Sequence, residues 1–190
     1  MKLVFATGNL HKLKEAQEIL GPGFELVPAS AVGITEDIPE TGNTFKANSL
    51  QKAEYIYERT GMDCFADDSG LEVDCLGGAP GVETARYAGP ARDSAANNAK
   101  LLREMGDATN RKARFRTCVT LILGGEKHFF DGVMEGSIGH TPYGNGGFGY
   151  DPIFIPEGYN VTTAEFPEGE KNAISHRGKA LRAMADFLKK

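Results

Sequence analysis

The adjacent acids Asp67 and Asp68 lie within Phe65-Ala66-Asp67-Asp68-Ser69-Gly70-Leu71-Glu72, where the flanking residues favour a strand. Two neighbouring carboxylates there are costly unless something cationic is bound. Successive residues of an extended segment point in opposite directions, so Asp67 and Asp68 are expected to do different jobs. Glu40 precedes a glycine turn, Glu40-Thr41-Gly42, that can aim its carboxylate. Magnesium takes one or two protein carboxylates together with waters and phosphate oxygens, a demand that Glu40 with Asp68 would meet. A solvated Asx turn is the other reading of the acidic pair.

Two further segments could serve an anion, and between them lies a polar stripe that by itself reads as a solvated helix face. Thr7-Gly8-Asn9-Leu10-His11-Lys12 leads from a strand into a helix, whose N-terminus offers unpaired N–H groups and the positive end of the dipole. Gly8 permits close approach, Lys12 adds a charge in the first turn, and simple N-capping by Thr7 or Asn9 would use the same residues. On the helix after Thr44, residues Phe45, Asn48 and Lys52 share one face. Lys171 followed by Ser175-His176-Arg177 is placed at the start of the last helix, where cations oppose the dipole and gain most from an anion or a base edge. Gly144-Asn145-Gly146-Gly147-Phe148-Gly149 matches the dinucleotide fingerprint in form only. Pro142 precedes it and Pro152 follows, so the strand and helix that the fingerprint requires are missing. It reads instead as a loop presenting Phe148, Tyr150 and Asp151 for stacking against a base.

The elements that must hold these residues follow from periodicity. Residues 2–6 read as a buried strand, then a helix with Leu10, Leu13, Ala16 and Leu20 on one face, stopped at Gly21-Pro22. A strand is expected at 24–27, a helix at 44–59, and strands at 63–66 and 71–75 flanking the acidic pair. A third helix is expected at 93–105. Residues 113–123 alternate, with Phe115, Val119, Leu121 and Leu123 on one side, and turn at Gly124-Gly125 into a hairpin partner. The last helix begins near Asn172 and turns Leu181, Met184 and Leu188 inward. Strand–helix alternation followed by a hairpin predicts a mixed sheet flanked by helices in one continuous α/β domain over residues 1–190.

The 190 residues are 41% hydrophobic and 25% charged, ordinary for a globular protein with a sizeable core. The longest apolar runs fall far short of the ~20 residues needed to span a bilayer, and a signal peptide is not expected. Three cysteines, Cys64, Cys75 and Cys118, have no paired spacing. They are expected as small core residues in a reducing, cytoplasmic protein. A net charge of −5 disfavours a nucleic acid partner but not a small anion, which a few converging cations and a metal can hold.

Together the segments resemble the inosine triphosphate pyrophosphatase family (Ham1-like), house-cleaning enzymes for deaminated purine nucleotides. The matching pieces are Ala6-Thr7-Gly8-Asn9 with Lys12, Glu40-Thr41-Gly42 with Thr44-Phe45, Ala66-Asp67-Asp68-Ser69-Gly70-Leu71, Gly77-Gly78-Ala79-Pro80-Gly81, Ala85-Arg86-Tyr87, Gly146 through Pro152, and Ser175-His176-Arg177-Gly178. They occur in the family's order and cover nearly the whole chain. The resemblance implies cleavage of ITP, dITP or XTP between the α and β phosphates, giving monophosphate and pyrophosphate. It also implies Mg²⁺, a homodimer, and an elongated two-lobed fold around a twisted mixed sheet, with the active-site cleft between the lobes. Carried over by motif, Thr7, Gly8, Asn9, Lys12 and Lys52 hold phosphates. Glu40 and Asp68 hold the metal, Asp68 is the general base, and Ser69 lies beside it. Phe148, Gly149, Tyr150 and Asp151 with Lys171, His176 and Arg177 form the base pocket. Pro39 stands where bacterial relatives often carry another acid, which leaves open whether Asp67 or Glu72 joins the metal. The alternatives are a related pyrimidine-directed pyrophosphatase and a non-catalytic nucleotide sensor. The Phe148 loop and Ser175-His176-Arg177 favour a purine, and a sensor would not need Glu40 and Asp68.

Overall fold

The alternation of apolar residues in the first strand serves two cores at once. Leu3 and Phe5 pack with Phe65, Val119, Leu121 and Met184, while Val4 and Ala6 pack with Ala53, Ile56, Cys64, Ala66 and Ile122. A strand covered on both faces reads as a near-continuous apolar run, which is how residues 2–6 read. The computed structural model describes the backbone of residues 1–190 and every side chain except those of Glu168 and Asn172.

The elements are β1 (Lys2–Phe5), α1 (Leu10–Leu20), β2 (Glu25–Pro28), α2 (Phe45–Thr60), β3 (Cys64–Val73), α3 (Ser94–Met105), β4 (Lys112–Leu123), β5 (Glu126–Ile138), β6 (Phe154–Pro156), α4 (Glu168–Ile174) and α5 (His176–Leu188). The strands form one six-stranded sheet in the order β2-β1-β3-β4-β5-β6. β1 is parallel to both β2 and β3, and β5 is antiparallel to β6, so the sheet is mixed as expected. Gly124 and Gly125 join β4 to β5 with φ of 58° and 86°. That left-handed pair is what a two-residue hairpin turn demands.

Two compact units emerge from the chain. The first comprises Met1–Asp68, Thr117–Gly132 and Arg177–Lys190, and the second comprises Ser69–Arg116 and Val133–His176. Neither unit is one continuous stretch, so no linker or shift in composition marks a boundary in the sequence. The core of the second unit gathers Leu71, Val73, Leu101, Met105, Phe115, Met134, Ile138, Tyr150, Ile153 and Phe154.

Several local expectations are corrected. Asp67 to Gly70 do not interrupt a strand but lie within a single β3, because the charge on Asp67 is neutralised where it stands. Residues 117–122 of β4 are buried on both faces rather than alternating, since α2 covers the second face, where Ser49 and Thr120 share a 2.7 Å hydroxyl contact. Leu10 is exposed at α1, whose buried side carries Glu15 beside Ala16 and Leu20. The last helical segment is two helices broken at Ser175, whose ψ of 151° is extended. Lys171 therefore sits in the last turn of α4, where a cation suits the dipole. Cys64 and Cys118 are buried, but Cys75 is exposed.

Candidate active site

The first unit supplies a knot of charge. Asn9 caps α1, its Oδ1 accepting the N–H groups of His11 at 2.9 Å and Lys12 at 3.2 Å, while the Thr7 hydroxyl accepts the N–H of Asn9 at 3.1 Å. The capping reading of Thr7 and Asn9 is thus realised, and it fixes Lys12 at the start of the helix. Gly8 is exposed and faces open space. Lys12 lies 3.7 Å from Oδ1 of Asp67, whose Oδ2 accepts from Nε of Arg177 at 3.1 Å. Nη1 of Arg177 reaches Glu15 at 3.4 Å, and Lys52 donates to the backbone carbonyl of Asp67. Asp67 is 1% exposed and Arg177 is 5% exposed, so these charges must be paired to be tolerated. Burial would raise the Asp67 carboxyl, but Lys12, Arg177 and Lys52 hold it far below the usual carboxylate range.

Asp68, the next residue of β3, has different surroundings. Its Oδ2 accepts from Nδ2 of Asn48 at 3.0 Å, and its carbonyl accepts from the Thr117 hydroxyl at 3.2 Å. Burial pushes the carboxyl up to about 6, with Lys52 and Asn48 opposing and Glu40 and Asp67 adding to the rise. Glu40 pairs with Lys52 at 2.9 Å. Burial alone would lower the Lys52 ammonium, but Asp67 and Glu40 raise it above the ordinary lysine range. For Lys12 the attraction of Asp67 is outweighed by burial together with Arg177 and Lys52, which leaves it lowered. Strand alternation thus gives two adjacent acids opposite characters, one locked as an anion and one poised to change protonation.

The second unit carries the aromatic loop. Asp151 is its hub at 4% exposure. Its Oδ2 accepts the N–H of Phe148 at 2.9 Å and pairs with Lys171, and its Oδ1 accepts from the Thr163 hydroxyl at 2.8 Å. The Lys171 ammonium also lies 4.3 Å from the centre of the Phe148 ring. The loop does not present all of its aromatic and acidic residues. Phe148 is half exposed, but Tyr150 is buried in the core with its hydroxyl donating to the Thr84 carbonyl at 2.7 Å, and Asp151 faces inward. Gly149 is held by Nδ2 of Asn98 at 3.2 Å. Ser69 is part-buried, next to Asp68 in β3. The His176 ring stacks on Phe115 with centroids 5.0 Å apart and planes 15° from parallel.

Glu15 and Thr163 escaped the sequence reading, and the contacts of Asn48 did too. An acid among the apolar positions of α1 was the only signal for Glu15, and its partner lies 162 residues away. Asn48 showed only as part of a polar stripe. Both candidates for a third metal ligand are occupied by cations, Asp67 as described and Glu72 by Arg116 at 3.0 Å. No group of three or more metal-ligating side chains occurs among the described residues. The chemistry of Glu40 and Asp68 fits a metal that asks for few protein ligands, since a divalent cation would relieve the ionised, half-buried Asp68.

Known proteins resemble the chain over its whole length. Residues 3–187 match the Ham1 family. The chain is 50% identical over 189 residues to a dITP/XTP pyrophosphatase of Flavobacterium psychrophilum, covering all of both chains. It is also 50% identical to a dITP/XTP pyrophosphatase of Porphyromonas gingivalis, covering 98% of this chain and 97% of that one. A HAM1 protein from Coxiella burnetii superposes with a TM-score of 0.94 at 38% identity, covering 100% and 98% of the two chains.

Proposed function

This chain belongs to the Ham1 family, and we propose that it hydrolyses non-standard purine nucleoside triphosphates (ITP, dITP and XTP) to the monophosphate and pyrophosphate, so keeping them out of DNA and RNA. The observation that carries the reading is Asp68, held by Asn48 at 3.0 Å, its carboxyl raised by burial to about 6 with Lys52 and Glu40 acting on it. At neutral pH it is mostly ionised yet still basic enough to orient and deprotonate a water, the range in which a general base is effective. Phosphoryl transfer needs little from a protein beyond positioning and charge neutralisation.

Lys12 and Lys52, with Thr7, Gly8 and Asn9 at the start of α1, take the phosphates. Glu40 and Asp68 would hold Mg²⁺, which when bound neutralises phosphate charge. Asp67 takes no part in holding it, because its charge is spent on Lys12 and Arg177. Phe148 supplies a face for the base, and Lys171, tied to Asp151, holds that loop in shape. His176 supplies a donor toward the 6-oxo group, while Arg177 beside it is held by Asp67 and Glu15. The protein acts as a cytoplasmic homodimer. Among the described residues no helix is long and apolar enough to cross a membrane, which leaves the compartment itself to the proposal.

With Mg²⁺ present, ITP is expected to give IMP and pyrophosphate in equal amounts, measured by chromatography and a pyrophosphate-coupled assay. IDP with orthophosphate as products would sink the assignment, and preference for a pyrimidine triphosphate would favour the pyrimidine-directed alternative. Base choice has its own test. Hypoxanthine offers an acceptor where adenine offers a donor, and a buried donor left unpaired costs about 1–3 kcal/mol. His176→Ala is therefore expected to reduce the ITP-to-ATP ratio of kcat/KM by about tenfold to a hundredfold. Phe148→Ala lowers kcat/KM for ITP, XTP, GTP and ATP alike, because stacking does not read the base edge. A His176 variant that loses activity but keeps its full preference would place the 6-oxo reading elsewhere.

A further inference from the structure

We propose that Asn48 is a positioning residue, whose side-chain amide sets the Glu40 turn and the Asp68 carboxylate in one arrangement for a divalent cation. The inference rests on the assignment of Glu40 and Asp68 to the metal. Asn48 is 3% exposed, on the first turns of α2. Its Oδ1 accepts the Gly42 N–H at 2.7 Å and its Nδ2 donates to Oδ2 of Asp68 at 3.0 Å. The amide's orientation follows from its partners, since the Gly42 N–H can only donate and the carboxylate accepts. A side chain of this size needs one acceptor and one donor, which asparagine alone offers in that form. Aspartate has acceptors only when ionised, and leucine has neither.

The turn is pressed onto the helix at this point. A Cβ on Gly42 would lie 2.8 Å from Cβ of Ala47 and 2.9 Å from Oδ1 of Asn48, so only glycine lets the backbone come close enough for the hydrogen bond. The helix end beneath is itself fixed, with Thr44 capping the Ala47 N–H at 3.0 Å. Lys52, one turn further along α2, holds the Glu40 carboxylate. One helix face therefore sets both acids, Glu40 through its turn and its charge, and Asp68 through one oxygen. Among the described contacts the other Asp68 oxygen takes no hydrogen bond, so the amide also decides which oxygen is turned to the cation. Partners of this kind typically change metal affinity or activity 10–100-fold when removed.

The test combines Mn²⁺ binding to the nucleotide-free protein, read by the electron paramagnetic resonance of the free ion, with steady-state kinetics on ITP. Asn48→Ala is expected to weaken Mn²⁺ binding and to lower kcat by about 10–100-fold each, while KM for ITP at saturating metal stays near wild type. Asn48→Asp keeps the size and the acceptor for Gly42 but gives Asp68 no donor, so it does not rescue kcat. It carries the test if the alanine variant fails to fold. Ser49→Ala loses the neighbouring buried contact with Thr120 and is expected to lower Tm while leaving kcat and Mn²⁺ affinity unchanged. Wild-type kcat in Asn48→Asp, unchanged Mn²⁺ affinity in Asn48→Ala, or an equal loss in Ser49→Ala would overturn the role. Equal Mn²⁺ binding by wild type and Asp68→Asn would instead remove the metal assignment beneath it, so the two failures are separable.

Discussion

Asp68→Asn is expected to lower turnover of ITP by at least ~10²–10⁴-fold, the usual contribution of a general base, while making the metal-free protein more stable at pH 8. The first effect follows from chemistry, because the amide keeps the shape and can still accept from Asn48 but has neither charge nor basicity. The second follows from linkage. Asp68 is raised from 3.8 to about 6 in the folded chain, so folding disfavours its ionised form. Its favourable contribution is complete below pH 3.8 and is lost as pH rises through about 6. At pH 8 the wild type therefore carries the whole penalty, up to about 3 kcal/mol at 1.36 kcal/mol per pH unit. The asparagine variant does not titrate and escapes it. Urea unfolding at pH 4 and pH 8 in the presence of chelator measures the difference, which should be large at pH 8 and small at pH 4. Mg²⁺ is expected to narrow it by stabilising the wild type only. Near-normal turnover in the variant would remove Asp68 from the mechanism, and a variant less stable than wild type at pH 8 would show that burial does not strain this carboxylate.

The same residue shows how much of the site was legible in the sequence. Local patterns are strong wherever one segment determines its own conformation. The cap at Asn9, the start of α2 after Thr44 with its stop at Gly61, and the Gly124-Gly125 hairpin all follow from nearby residues, and all are present. That Asp67 and Asp68 must differ follows from strand geometry alone. What each of them meets does not, because Arg177 reaches Asp67 across 110 residues and Glu15 across 162. The placement of β3 through the acids was misread for that reason. Nearby residues alone predict two strands on either side of the acids, whereas long-range cations let one strand continue through them. The break at Ser175 was hidden likewise, since helix-favouring residues stand on both sides of it and only its extended ψ separates α4 from α5. Tyr150 looked like a loop aromatic because its neighbours are glycines and prolines, yet its burial is decided by Thr84 and the second unit's core.

Asp67→Ala is expected to be the most destabilising single change in the first unit, costing about 3–5 kcal/mol. The carboxylate is almost fully buried, and its removal leaves the Arg177 guanidinium, 5% exposed, facing Lys12 and Lys52 with Glu15 in partial compensation. The cost is that of stranded charge rather than of lost attraction, and this sets a second expectation. Asp67→Leu combined with Arg177→Met removes both members, so the double variant should lose much less than the sum of its two singles. Activity separates stability from function. Lys12 loses its counter-charge in the double variant, and the loop that it anchors at the start of α1 is the phosphate end of the proposed site, so turnover is not expected to return with stability. The pH dependence has the opposite sign to that of Asp68. The folded Asp67 carboxyl lies well below its ordinary 3.8, so its contribution is present above that value and is lost as pH falls beneath it. Wild type should therefore show an acid limb in its stability that Asp67→Ala lacks. The measurement is ΔG of unfolding for the two singles and the double at pH 7, together with the wild type and Asp67→Ala down to pH 3. A cost under about 1 kcal/mol for Asp67→Ala, against the 3–5 kcal/mol expected of a broken buried pair, would show that the network is not what holds α1 and α5 to β3. Additive singles would show that Asp67 and Arg177 are not coupled.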